Sequence, residues 1–454
     1  MSIQSINPAT EEVIKSYEEF TVEEITDAIE QAHREFLHWR TTSYDQRRKL
    51  MLRAADILDQ EKEKYGTILT LEMGKPIRQA LAEVEKCAWV CRYYAENAEK
   101  LLKEEIIQSD ASESYIRFDP LGVILAVMPW NFPYWQVFRF AAPALMAGNT
   151  ALLKHSSNVP QSALAIEEVF QRAGFPDHVF KTLLIGSSAV DLIIDHPMVS
   201  AATLTGSEAA GANVASRAGK CLKKTVLELG GSDPFIILAD ADIEKAAETA
   251  VQARIINNGQ SCIAAKRFIA VNEIAGEFEK RFVEHVKSLK IGDPFNEANH
   301  VGPLAREDLL NELNSQVTRS IEQGAELLYG GGRLIMKGYY YPVTVLSNVQ
   351  PGMPVFEEET FGPVAALIKA VDEEEAVAIA NRTKFGLGAS LWTRDRQKAK
   401  HLAAKIESGS VYINGMVKSD PRLPFGGIKF SGYGRELSHY GIKEFVNIKT
   451  VWIR

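Results

Sequence analysis

Gly122-Val123-Ile124-Leu125-Ala126-Val127 is an unbroken apolar run of strand length, and it opens a series. Thr150–Leu153, Thr182–Ile185, Val199–Leu204 and Thr225–Leu229 repeat it, with helical stretches such as Gln161–Ala173 between them. Strands alternating with helices over Leu121–Leu229 predict an α/β class with a parallel, doubly wound sheet. Such sheets bind ligands beyond the carboxyl ends of their strands. Four of those ends carry suggestive residues: Trp130-Asn131-Phe132-Pro133, Lys154-His155-Ser156-Ser157, Thr205-Gly206-Ser207 and Glu228-Leu229-Gly230-Gly231.

Gly206-Ser207 ends a strand and opens a helix, a natural phosphate seat because small residues let backbone N–H groups reach an anion. It is neither Gly-x-Gly-x-x-Gly nor a P-loop. Lys154 ends an apolar strand, where a cation holds a ribose hydroxyl or a phosphate, or simply meets solvent.

Outward on the C-terminal side a second α/β series begins. Pro234–Leu238 reads as a strand and Ile243–Ile256 as a helix. That helix leads to Ile256-Asn257-Asn258-Gly259-Gln260-Ser261-Cys262, a polar, Gly-containing turn that would hold a cysteine at a mobile, accessible spot. Backbone N–H groups of the turn would lower the thiol pKa and later hold an oxyanion. A single cysteine is nonetheless more often a small buried hydrophobe. With no long linker between the two α/β halves, a cleft between tightly packed halves is expected.

Outward on the N-terminal side, Val22 to about Lys103 is helical, with apolar residues at Ile25, Ala28, Ile29, Ala32 and Phe36, and a break at Gly74-Lys75-Pro76. This half reads as packing surface. Cys87 and Cys91 share one helical face without zinc spacing and read as core; Cys221 carries no partner motif. Glu113–Phe118 and Glu444–Trp452 alternate as half-exposed strands do, and exposed edges need covering, so both are expected to serve a homodimer or homotetramer.

The bulk numbers bound the partners. A chain of 454 residues is too long for one core. A net charge of −8 favours neither nucleic acid nor an anionic membrane, and no apolar run nears the roughly 20 residues of a membrane span. Four cysteines make no disulfide framework, and Met1–Pro8 carries no secretory pattern, so a cytoplasmic location is expected.

Asn131, Glu228 and Cys262 form a coherent set. A thiolate attacking a carbonyl needs an amide donor for the oxyanion and a carboxylate base for water. With Pro129–Pro133, Leu227–Gly231 and Gly259–Cys262 in this order, and Phe425–Glu436 near the end, the chain resembles the aldehyde dehydrogenase superfamily along nearly its whole length. The resemblance implies two doubly wound α/β domains and a β oligomerisation element. Cofactor binding would fall to 1–103 and 121–230, catalysis to 231–435, and assembly to 104–120 and 441–454. It also implies Cys262 as nucleophile, Asn131 as oxyanion donor and Glu228 as general base. Trp130, Lys154, Gly206 and Ser207 would hold the cofactor, with Glu359 and Phe361 at its nicotinamide riboside.

Two positions speak to specificity. Many NAD-dependent members carry a glutamate three residues after the lysine; here Ser157 stands there, which favours NADP over NAD because a hydroxyl accommodates a 2′-phosphate that a carboxylate repels. His155 departs from the small residue or proline usual at its position. Arg139, on the helix after Pro133, looks like the succinate-semialdehyde dehydrogenases, whose substrate ends in a carboxylate; Ser419 would assist it. A structural ion pair is the plainer use of Arg139. Other carboxylate-tailed semialdehydes such as glutarate semialdehyde, and simple aliphatic aldehydes, remain alternatives at this stage. Glu228 argues against a CoA-acylating enzyme, because a base for water would waste the thioester.

Overall fold

The computed structural model describes residues Ser2–Arg454. A six-stranded sheet runs in the order Gly432–Tyr433, Lys224–Glu228, Val199–Thr205, Val123–Met128, Thr150–His155, Phe180–Thr182. All neighbours are parallel except the first pair, where Gly432 faces Glu228. A seven-stranded sheet runs Glu326–Tyr329, Thr344–Ser347, Val364–Ala370, Arg267–Val271, Pro234–Ile237, Gly388–Trp392, Ser410–Ile413. It too is parallel apart from its first pair.

The expected strands are present with one displaced. Thr182–Ile185 is read from its apolar residues, but the paired segment is Phe180–Thr182. Leu183 N makes a last bond to Leu153 O and the chain then leaves the sheet: Leu184 O accepts from Phe20 N, and Leu183 and Ile185 pack with Ile25, Ile29 and Val123. Apolar residues that leave a sheet to fill a core look like strand in the sequence.

The N-terminal stretch forms four helices, Val22–Trp39, Tyr44–Gln60, Lys62–Met73 and Ile77–Leu101. The first two start on capping boxes, Thr21 with Glu24 and Ser43 with Gln46, which satisfy N–H groups left open by a helix start. The break is made by Gly74, left-handed at φ 72°, followed by Pro76. The last helix buries Val84, Cys87, Ala88, Cys91, Tyr94 and Ala98, and crosses the Trp135–Ala147 helix. Each large apolar side chain buried this way contributes about 1.5–3 kcal/mol.

The Trp135–Ala147 helix is buried along its full length and leads out of the strand end at Met128. Its start is held from outside: Glu83, in a buried ion pair with Lys75, accepts from the N–H groups of Tyr134 and Trp135 at 3.0 Å each. The helix thus projects Gln136 and Arg139 from a fixed base.

A third, three-stranded antiparallel sheet pairs Val446–Ile453 with Glu113–Pro120, and that strand with Glu105–Ile106. Ile106, Ile448, Trp452 and Ile453 are exposed on it. Among the described residues no helix is long and apolar enough to cross a membrane.

Candidate active site

The turn before Cys262 is not a mobile one. Asn257, Asn258, Gly259, Gln260 and Ser261 are all fully buried. Asn257 (φ 53°) and Asn258 (φ 57°) adopt left-handed backbone, and their side chains anchor it. Asn258 Nδ2 donates to Gly74 O and Pro303 O at 2.9 Å each, and its Oδ1 accepts from Gly302 N at 2.8 Å. Asn257 Nδ2 donates to Asn131 O at 2.6 Å, and Ala305 N donates to Gln260 Oε1 at 2.9 Å. Gly259 lies so close to Gly362 that no side chain fits, and its φ of 76° also asks for glycine. The accessible cysteine of the expectation becomes a half-buried one on a rigid, tethered loop.

Its thiol is correspondingly pushed up to about 12, by burial first and the Glu359 charge second, with Lys266 and Arg139 pulling the other way. The lowering expected from turn N–H groups is outweighed. Lys266 Nζ lies beneath the loop, donating to the carbonyls of Ser261 (2.9 Å), Cys262 (2.9 Å) and Ala264 (3.1 Å).

Asn131 is buried opposite the loop. Its Nδ2 donates to Gln260 O at 3.1 Å, and its Oδ1 accepts from Gln136 Nε2 at 3.1 Å, which fixes the amide with its donor edge toward the cysteine loop. Glu228 ends its strand at the edge joined by Gly432. Its carboxyl is buried without a hydrogen-bond partner, beside Gly426, where an added Cβ would stand 2.6 Å from Oε1. Burial and the Glu436 charge push its pKa well above the usual carboxylate range, against Arg139 and Arg435.

A cavity of about 660 Å³ opens beside Cys262. Trp130, Asn131, Lys154, Gly206, Ser207, Glu359 and Phe361 line it together with Cys262. Trp130 and Phe361 meet edge to face at 5.6 Å. Ser207 caps the Glu208–Lys220 helix, accepting from Ala210 N, so a helix N-terminus faces the cavity. Lys154 is buried with no acid partner, and desolvation depresses its pKa. Glu359 is held by Gly231 N at 3.0 Å and by Lys266 at 3.5 Å. An unpaired buried ammonium, an anion-binding helix start and an aromatic pair in one cleft fit a dinucleotide cofactor.

Three residues stand elsewhere than expected. Ser156, not Ser157, lines the cavity; Ser157 is exposed on a neighbouring cleft with Ile3, Pro160 and Leu183. His155 shapes this turn: Ser156 N donates to its Nδ1 at 2.9 Å, which leaves Nε2 to donate to Pro133 O at 2.9 Å. Burial lowers its pKa to about 4, keeping it neutral. Arg139 is buried and ion-paired with Glu436, with its guanidinium over the Phe425 ring at 4.6 Å. The free guanidinium of the expectation already has a protein carboxylate, because two buried charges pair when they can. Ser419 is buried and accepts from Lys86 Nζ at 2.7 Å.

Lys86 escaped the sequence reading, which took the whole helical N-terminal stretch as packing surface. The available signal was a lysine between Glu83 and Val90, on the stripe that otherwise buries Cys87 and Cys91.

The model of the aldehyde dehydrogenase family matches residues 1–451. The chain is 53% identical, over the full length of both, to a Synechocystis protein named probable succinate-semialdehyde dehydrogenase (NADP+). It is 53% identical, again over the full length of both, to succinate-semialdehyde dehydrogenase (NADP+) 1 of Mycobacterium tuberculosis. A solved structure of succinic semialdehyde dehydrogenase from Streptococcus pyogenes in complex with NADP+ superposes with a TM-score of 0.97 at 38% identity, covering 99% of each chain. The match in sequence, fold and order of site residues has one meaning: the chain belongs to the aldehyde dehydrogenase family.

Proposed function

We propose that this protein oxidises succinic semialdehyde to succinate with NADP as electron acceptor. The observation that carries the reading is the one cleft in which Cys262 and Asn131 meet Lys154, Ser207, Glu359 and Phe361. The names of the two relatives, both NADP-dependent succinate-semialdehyde dehydrogenases, point the same way.

Cys262 gives its proton to solvent water and its thiolate attacks the aldehyde carbon, forming a thiohemiacetal. The Asn131 amide and the Cys262 N–H receive the oxyanion. Bound in the cleft, NADP supplies the acceptor for the hydride that leaves this carbon. The thioacyl enzyme remains. Glu228, once deprotonated, takes a proton from water as the water attacks the thioester, and succinate departs. Lys154, Gly206 and Ser207 hold ribose and phosphates, Trp130, Glu359 and Phe361 the nicotinamide end. Ser157, where a carboxylate would repel, leaves room for the 2′-phosphate. Ser419 serves the acid tail, while Arg139 is held by its ion pair with Glu436.

Residues 1–103 and 121–230 form the cofactor-binding part and 231–435 the catalytic part in this reading. Segments 104–120 and 441–454 form an assembly element for a homodimer or homotetramer, for which the apolar exposure of Ile448, Trp452 and Ile453 is the support. The four cysteines are unpaired, in keeping with a cytoplasmic enzyme.

Steady-state reduction of NADP and NAD with succinic semialdehyde, beside butyraldehyde as an uncharged control, tests the proposal. A strong preference for succinic semialdehyde with NADP is expected, and equal rates with both aldehydes would overturn the substrate assignment. Ser157→Glu should move the ratio of kcat/KM values from NADP toward NAD; an unchanged ratio would remove Ser157 from the cofactor argument.

A further inference from the structure

We propose that Lys86, on the Ile77–Leu101 helix, is a direct ligand of the substrate's distal carboxylate, binding it together with Ser419 while Arg139 stays neutralised by Glu436. The inference rests on the proposed semialdehyde activity and names a recognition group that the sequence reading assigned to packing.

An ammonium carries three N–H bonds. Lys86 spends one on Ser419 Oγ at 2.7 Å and forms no ion pair with any described residue. The acids nearest to it are engaged elsewhere: Glu83 with Lys75 and with two backbone N–H groups, Asp420 with Arg422. Its Nζ sits 4.2 Å from the centre of the Trp135 ring, so one side of the charge is desolvated. A half-buried cation with spare donors and no anion is what an anionic ligand repairs.

Lys86, Ser419 and Arg139 do not line the cofactor cavity. Yet Cys262, Phe132, Trp135 and Phe425 pack in one apolar cluster. Arg139 lies over Phe425 in that cluster and Lys86 over Trp135. The charge of Arg139 reaches both the Cys262 thiol and the Lys86 ammonium. Lys86 therefore shares Arg139 as a charged neighbour with Cys262 and stands outside the cofactor cavity, a placement open to the far end of an aldehyde held at Cys262. Of the two cations there, Arg139 has a carboxylate partner and Lys86 has none.

Charge supports this placement. Burial, then Arg139, lower the Lys86 pKa to about 8; Cys87 and Glu83 on its own helix and Asp420 beside Ser419 oppose them. A carboxylate binds the protonated form, so recognition of the acid tail should weaken as pH rises through that value.

The experiment compares kcat/KM for succinic semialdehyde with kcat/KM for butyraldehyde from pH 6.5 to 9.5. The ratio cancels Cys262 and Glu228, which act on both aldehydes. In the wild-type enzyme it should fall above pH 8. In Lys86→Met it should be about 10- to 100-fold lower at pH 7, the loss expected for a charged hydrogen bond, and flat with pH. Lys86→Arg should recover part of it. Equal losses for the two aldehydes in Lys86→Met, or a wild-type ratio that does not change with pH, would make Lys86 a packing residue and overturn the proposal while leaving the semialdehyde activity intact. A wild-type enzyme without preference for succinic semialdehyde would instead overturn the parent reading, and the role of Lys86 with it. The wild-type profile needs no variant, so a misfolded Lys86→Met does not spoil the test.

Discussion

Two carboxyl groups of this molecule, the buried Glu228 and the half-buried Glu359, are treated in opposite ways. Glu359 is tied down, by Gly231 N and by the Lys266 ammonium that also holds three carbonyls of the cysteine loop. Glu228 is left without a single hydrogen bond and lies near a second buried acid, Glu436. A carboxylate anchored on two sides keeps a position. One without partners keeps a proton and can turn. The difference is what the proposed roles ask for, a fixed place for Glu359 and proton transfer for Glu228.

The comparison breaks most visibly at Glu228. Glu228→Gln should lower steady-state turnover about 10²- to 10⁴-fold, the usual worth of a general base. A first-turnover burst of reduced cofactor should survive, since the base is needed only after hydride has left. Rapid-mixing absorbance at 340 nm reads both, and loss of the burst would assign Glu228 to the first half-reaction.

Glu359→Gln should cost less, roughly 10- to 10²-fold in kcat, as misplacement of a bound group does. It should also lower the Cys262 pKa, because a negative charge near the thiol is gone. Iodoacetamide alkylation against pH, without cofactor, measures this. An unmoved profile would mean that burial alone raises the thiol.

Glu436→Gln should have the smallest effect, several-fold at neutral pH. A protonated Glu228 is no base, so deacylation rises with pH through its pKa. The Glu436 charge raises that pKa, and its removal also frees the Arg139 charge to lower it further. The acidic limb of kcat should move to lower pH. A shift to higher pH would show that Glu436 acts on Glu228 otherwise than by charge.

The sequence was a good guide wherever function is local to a strand end. Asn131, Lys154, Ser207 and Cys262 each follow an apolar run or a helix, and the structure brings all four to one cavity. It was a poor guide wherever a side chain answers a distant one. Asn257 and Asn258 look like turn formers, yet they bond to Asn131, Gly74 and Pro303, and rigidity follows from those partners. Arg139 finds Glu436 and Lys86 finds Ser419, each about 300 residues on. Periodicity carries no information on such pairs, because they depend on how two separately folded segments meet. Thr182–Ile185 failed for a related reason: hydrophobicity reports burial, and only pairing makes burial into strand.

The strand Gly432–Tyr433 sets an order of events during synthesis. It covers the edge of Lys224–Glu228, and roughly 200 residues separate them; at ribosomal speeds of about 5–20 residues per second, that edge waits about 10–40 seconds for its partner. Until then Glu228 ends an uncovered strand and has neither Glu436 nor Arg435 beside it. The hazard of edge-to-edge association therefore belongs to the nascent chain, and the surroundings that raise the Glu228 pKa are completed only in the last moments of translation.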